Sequence, residues 1–176
     1  MITLVFGSRP ESIKLGPVAA ELNALHVPFT TICTGQHTDL LTGTPAETDL
    51  SGGTNLGLVS DGNVARWLTN AEVILGKALI NATIVVVQGD TMSALAAARA
   101  ADGLGIPVVH VEAGIRSHNP DEPWPEELCR VEIDRIASLR LAPTALALAN
   151  LIAEGHTSGN LITGNTGISA LARYTG

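Results

Sequence analysis

A chain of 176 residues is long enough to bury its own core, and its formal net charge of −7 argues against a general polyanion binder, because phosphate-backbone affinity needs a basic surface. Any bound anion should be small and held locally. Hydrophobic residues make up 45% of the chain and aromatics 3%, so Ala, Val, Leu and Ile must build the core. Cys33 and Cys129 form no disulfide framework and no CxxC pair, "MITLVF" lacks the length and charge of a secretion signal, and no apolar run approaches the ~20 residues of a membrane span. The expectation is a cytoplasmic chain with no nucleic-acid and no membrane partner.

Short β-rich runs alternate with longer Ala/Leu-rich segments, the pattern of β-α units around a parallel sheet. In chain order, strands are predicted near Ile2–Phe6, Phe29–Thr34, Ile84–Gln88, Val108–Val111, Leu139–Ala142 and Asn160–Thr163. Helices are predicted at Glu11–Leu25, Asn63–Leu79, Met92–Leu104, Pro125–Ala137 and Thr144–Glu154, with a last one beginning near Gly167. Pro17 should kink or interrupt the first of them. Runs such as "TIVVV" suit strands covered on both faces. Thr42–Gly57, "TGTPAETDLSGGTNLG", is expected to be a structureless surface loop. No linker divides the chain, so residues 1–176 are expected to form one α/β domain.

In a parallel sheet, ligands bind outside the carboxyl ends of the strands, and the polar residues of this sequence collect there. Ser8, Arg9 and Glu11 follow the first strand, "TGQH" (Thr34–His37) the second, "QGDT" (Gln88–Thr91) the third and "HVEAGIRS" (His110–Ser117) the fourth. Several have structural explanations. Ser8 with Glu11 matches a capping box, Asp90 is placed to cap the next helix, and Glu126 and Glu127 suit the first turn of another. Arg9 and Lys14 are either solvated or directed at an anion beside the helix N-terminus. Glu112 is harder to explain structurally, because a carboxylate ending an apolar strand is costly to bury without a partner. Arg116 and His110 are candidate partners. Asp90, Glu112 and Glu126 lie on successive segments of one sheet edge, where they could share a pocket and divide acid and base roles. No phosphate-loop, dinucleotide, nucleophile-elbow or zinc motif is present, so no cofactor and no metal are expected.

The stretches "VFGSRPESIKLGPV", "TGQH", "VVVQGDTMSALAAARAA", "VVHVEAGIRS", "PWPEELCR", "APT" and "TGNTGISAL" resemble, in order, the N-terminal half of the non-hydrolysing UDP-N-acetylglucosamine 2-epimerases. The resemblance implies a Rossmann-like parallel sheet with helices on both faces, one lobe of a glycosyltransferase-B-like fold. It implies interconversion of UDP-GlcNAc and UDP-ManNAc by anti elimination of UDP to a 2-acetamidoglucal, followed by re-addition. Carried over by motif, Asp90, Glu112 and Glu126 are the catalytic carboxylates, and Arg9, Lys14, Gln36, His37 and Arg116 bind substrate. Arg9 and Lys14 would lie near the diphosphate.

Two departures bound the resemblance. The family's enzymes are roughly twice the length of a single such domain, and their second lobe carries a catalytic histidine whose motif none of the five histidines here matches. Where the family has helix after "TGQH", Pro45, Gly52 and Gly53 argue against one. The implied partners are a UDP-N-acetylhexosamine, a second chain supplying the missing lobe, and a homodimeric copy. An epimerase lobe inactive without its second half, a stand-alone nucleotide-sugar-binding or regulatory module, and a glycosyltransferase-like lobe are the alternatives the sequence leaves open.

Overall fold

Side chains alternate across the first strand, with Leu4 and Phe6 packed on one face and Val5 on the other, and this alternation sets the layers of the molecule. The computed structural model describes residues 1–35, 43–44, 46–59 and 62–175. In chain order the elements are β1 (Ile2–Phe6), α1 (Arg9–Ala24), β2 (Phe29–Cys33), α2 (Glu47–Leu50), β3 (Thr54–Asn55), α3 (Val64–Ala78) and β4 (Ile84–Gln88). Then come α4 (Met92–Gly103), β5 (Val108–Val111), α5 (Glu126–Ile136), β6 (Leu139–Ala142), α6 (Ala145–Ala153), β7 (Asn160–Ile162) and α7 (Thr166–Thr175). Among the described residues no helix is long and apolar enough to cross a membrane.

The strands form one seven-stranded sheet in the order β3-β2-β1-β4-β5-β6-β7, and every pairing is parallel. The expected Rossmann-like parallel sheet with helices on both faces is therefore present. Its order reverses between β1 and β4, which pair from Ile2↔Ile84 to Leu4↔Val86. Connections leave these two strands in opposite directions, and in open sheets of this kind ligands bind at the carboxyl ends beside such a reversal.

Helices α3, α4 and α5 pack on Val5, Ile32, Val85, Val87 and Val108. The opposite face, Leu4, Phe6, Cys33, Val86 and Val111, is covered by Leu15 and Ala19 of α1, Leu50 of α2 and Tyr174 of α7. Helix α4 shows how a core nearly free of aromatics is filled. Ala94, Ala96, Ala97, Ala98 and Ala101 are all fully buried, and their small side chains let α4 sit closely between α3 and α5.

Two expectations need correction. Helix α1 runs unbroken through Pro17. The proline removes one backbone donor, but Leu15, Gly16, Ala19 and Ala20 are buried on either side of it and hold the helix in place. The segment read as a structureless loop contains α2 and β3. Ala46 and Leu50 are buried at 0% and 1% exposure, and β3 extends the sheet through Ile32↔Thr54 and Cys33↔Asn55. The glycines that argued against helix have another use. A Cβ on Gly53 would lie 1.8 Å from Thr31 Oγ1 and 2.3 Å from the Thr31 carbonyl, so glycine is what lets this segment close onto β2.

Leu50→Ala should therefore cost about 2–5 kcal/mol in urea unfolding, as for a core leucine. Val59→Ala, at a 73% exposed position, should stay within about 0.5 kcal/mol of the parent. Equal midpoints for Leu50→Ala and the parent would return the segment to the surface.

Candidate functional site

The β1–α1 turn is built around an internal anion. Ser8 caps α1, its Oγ accepting from the Glu11 amide at 3.4 Å. The Glu11 side chain turns inward, where Oε2 accepts from the Gly7 amide at 3.0 Å and Oε1 from the Thr91 hydroxyl at 2.8 Å. Thr91 is itself the N-cap of α4. One buried carboxylate thus serves two helix N-termini, which favour negative charge. Burial pushes its carboxyl above the ordinary 4.5, against the hydrogen bonds from Ser8, Thr91 and Gly7. The Gly7 amide is consequently unavailable to a bound phosphate. Gly7 itself is required by packing, since a Cβ there would lie 2.0 Å from Ser93 Oγ and 2.4 Å from Thr34 Oγ1.

The cations of this turn have separate fates. Arg9 is exposed, and among the described residues its guanidinium makes one long contact, 3.4 Å to the Gly43 carbonyl. Lys14 reaches across to β5, placing Nζ 2.6 Å from Glu112 Oε2. Glu112 stands at φ 73°, in the left-handed region that side chains avoid. Both its amide and that of Ala113 donate to the Leu141 carbonyl, at 3.0 and 3.1 Å, which fixes the unfavourable backbone. Its carboxylate also accepts from Gln88 Nε2 and, at 3.4 Å, from Asn165 Nδ2. Neither Arg116 nor His110 is its partner. Backbone strain of ~1–3 kcal/mol is retained at a position that brings β4, β5, α1 and the start of α7 together on one carboxylate.

Asp90 follows Gln88 by two residues and pairs with Arg130 in the second turn of α5. Glu126 opens that helix one turn earlier, so Glu126 and Arg130 share a helix face. Among the described residues Glu126 has no side-chain hydrogen bond or ion pair. Its neighbour Glu127 is buried and accepts from the amides of Ser117 (3.0 and 3.1 Å) and His118 (3.1 Å). Burial alone would raise the Glu127 carboxyl, but those amides and Arg130 hold it below the usual carboxylate range. Glu127 thus anchors the loop after β5. Cys129 shows how closely the acids gather, because burial and then the charges of Asp90, Glu126 and Glu132 push its thiol up to about 12. A thiol in that setting is inert.

Arg116 takes a different place from Arg9 and Lys14. Its side chain is 1% exposed, bonded to Asp134 at 2.7 Å and to both oxygens of Glu154 at 2.6 and 2.7 Å. It fastens the loop after β5 to α5 and to the end of α6. Asp134 also accepts from the Gly114 amide and faces His110. Gln36 and His37 lie outside the described residues. Arg130 was missed by sequence reasoning, although its spacing four residues after Glu126 was the available signal. Among the described residues no group of three or more His, Cys, Asp or Glu side chains is placed to hold a metal ion.

The sequence profile of the UDP-N-acetylglucosamine 2-epimerase family matches residues 20–176. The chain is 38% identical over 180 residues to the UDP-N-acetylglucosamine 2-epimerase of Campylobacter jejuni, covering 99% of this chain and 47% of that protein. The crystal structure of UDP-GlcNAc 2-epimerase from Neisseria meningitidis bound to UDP-GlcNAc superposes with a TM-score of 0.91 and 32% identity, over 98% of this chain and 48% of the other. MurG of Acinetobacter baumannii shares the fold alone, with a TM-score of 0.55 and 13% identity over 80% of this chain and 40% of that one. The chain spans about half the length of the curated relatives it matches.

The buried ion network makes a prediction about acid. His110 and Arg116 outweigh burial and hold the Asp134 carboxyl below its ordinary 3.8. A depressed carboxyl contributes stability above its unfolded pKa and loses it as pH falls through the folded value. Asp134→Asn should therefore be less stable than the parent by about 3–5 kcal/mol at neutral pH. The gap should narrow as pH drops below 3.8. Urea midpoints measured against pH check this, and a gap of constant size would contradict it.

Proposed function

Since the chain belongs to the UDP-N-acetylglucosamine 2-epimerase family, we propose that it is the N-terminal lobe of a non-hydrolysing enzyme of that kind and interconverts UDP-GlcNAc and UDP-ManNAc when completed by a second lobe. The observation that carries this reading is Glu112, a carboxylate kept in a strained backbone conformation at the sheet edge and reached by Lys14, Gln88 and Asn165. Asp90 and Glu126 lie on the adjoining segments, with Arg130 in contact with Asp90.

In the forward direction a carboxylate of this set takes the C2 proton. The C2–H electrons form the C1=C2 bond of the glycal, and the C1–O bond breaks with its electrons leaving on UDP. Re-addition delivers a proton to the opposite face of C2 and restores the bond at C1. Carboxyls in unlike surroundings suit such paired proton transfers. Glu112 is held by a cation and two amides, Asp90 by a guanidinium, and Glu126 stands without a side-chain partner among the described residues. Arg9, exposed and weakly held, is free to meet the diphosphate, with Lys14 behind it on α1. No cofactor enters this scheme. The second lobe comes either from further chain or from a separate subunit, and excludes water from the closed cleft. Buried, unpaired Cys33 and Cys129 suit a cytoplasmic setting, and sedimentation of the two-lobe protein would show whether it is the expected homodimer.

The chain alone should form no UDP-ManNAc from UDP-GlcNAc by NMR of the anomeric protons, whereas the two-lobe protein should. Turnover by the isolated chain would refute the half-site. Arg9→Ala in the two-lobe protein should weaken UDP-sugar binding by about 1.5–3 kcal/mol, the value of a hydrogen bond to a charged group. Its folding should hold, because the Ser8 and Glu11 contacts do not involve the Arg9 side chain. Equal affinity for mutant and parent would return Arg9 to the solvated surface.

A further inference from the structure

His110 is fully buried on β5, and both of its ring nitrogens face oxygen acceptors. Nδ1 lies 2.6 Å from Asp134 Oδ1, and Nε2 lies 2.7 Å from the Gly89 carbonyl oxygen. A carbonyl has no proton to give. Asp134 receives two donors on its other oxygen, the Gly114 amide at 3.1 Å and Arg116 Nη2 at 2.7 Å, as an ionised carboxylate does. A neutral imidazole has a single N–H, so either tautomer would press a lone pair against one of these oxygens.

From this geometry we infer that His110 is a resident imidazolium and acts as a positioning residue, its Nε2–H holding the Gly89 carbonyl and thereby the turn that presents Asp90. The Gly89 carbonyl belongs to the peptide that joins Gly89 to Asp90. The Gly89 amide is already bonded to the Val111 carbonyl at 3.0 Å. Both polar groups of Gly89, at φ 73°, are therefore tied to β5, one by strand pairing and one by the imidazolium.

The surroundings suit a buried cation only because they are charged. Asp134 faces it from α5, and Arg116 meets the same carboxylate from the loop after β5. Glu154 at the end of α6 balances Arg116, and Arg140 on β6 donates through Nε to the Asp134 main-chain carbonyl. His156, beyond α6, is held toward its neutral form by burial and by Arg140. A bond from an ionised donor is shorter and roughly twice as strong as its neutral equivalent, and it leaves the carbonyl little rotational freedom. The charge on His110 rests on this geometry alone. The positioning role rests in addition on the proposed use of Asp90.

A long-range proton–nitrogen correlation spectrum of the 15N-labelled chain at neutral pH tests the charge. His110 should show slowly exchanging protons on both ring nitrogens. A ring with one bare nitrogen overturns the inference whatever the variants do. The positioning role is read in the two-lobe enzyme with a pair of substitutions. In His110→Gln the terminal amide reaches where Nε2 stood and can still donate to Gly89. In His110→Asn it reaches only toward Asp134. His110→Gln should keep a kcat on the order of tenfold higher than His110→Asn, the rate equivalent of one hydrogen bond, with KM shared between them. Equal kcat losses at equal thermal stability would make His110 merely structural. Absence of epimerase activity in the parent two-lobe protein would instead count against the proposed function and leave the imidazolium spectrum standing.

Discussion

A carboxylate at the end of a buried strand is costly unless the fold supplies donors, and the sheet edge of this lobe is organised around supplying them to Glu112. The residue leaves β5 in a left-handed conformation, with two successive amides on the single carbonyl of Leu141. Its side chain then draws Lys14 from α1, Gln88 from β4 and Asn165 from the segment before α7. These contacts span the point where the strand order reverses, so the two halves of the sheet are joined through one acid. A structure stabilised only by its core would have no reason to keep such a group there.

The other acids divide by exposure. Glu11, Glu127 and Asp134 are 2%, 4% and 0% exposed, and each is saturated by donors from within the chain. Glu11 occupies two helix N-termini, Glu127 collects the amides of one loop, and Asp134 joins His110 to Arg116. Asp90 and Glu126 are only partly covered, and Asp90 meets Arg130, whose side chain is 11% exposed. Internal anions thus hold the turns, whereas Asp90 and Glu126 keep part of their surface open. At the helix N-terminus after the first glycine turn, Glu11 takes the Gly7 amide, and the exposed cation of that turn is Arg9.

The layered sheet was legible because its strands are continuous apolar runs and its first helix opens on the Ser8 cap, whereas the cap expected of Asp90 is supplied by Thr91. Helix α2 and strand β3 were not, since four and two residues are too short to show a period. Leu50 looked like an isolated leucine in a polar loop until its burial gave it a role. At the candidate site, position beyond a strand placed Asp90, Glu112 and Glu126 on adjoining segments of the sheet edge, where the structure also has them. Partners were not legible. The acids that enclose Arg116 lie 18 and 38 residues further along the chain, on α5 and at the end of α6. The cation that does meet Asp90 is 40 residues away in α5. Local sequence pattern carries no information about pairings at such separations.

The central claim is that Glu112 belongs to the reacting centre of a two-lobe epimerase and is more than a strut between strands. It is tested most directly by following the C2 proton of UDP-GlcNAc in D2O with the two-lobe protein. The parent should replace the C2 proton with deuterium, seen as loss of the H2 resonance. Glu112→Gln, which keeps the shape of the side chain but cannot take up a proton, should bind the nucleotide sugar yet leave that resonance almost intact. Exchange at the parental rate in the Glu112→Gln protein would contradict the claim.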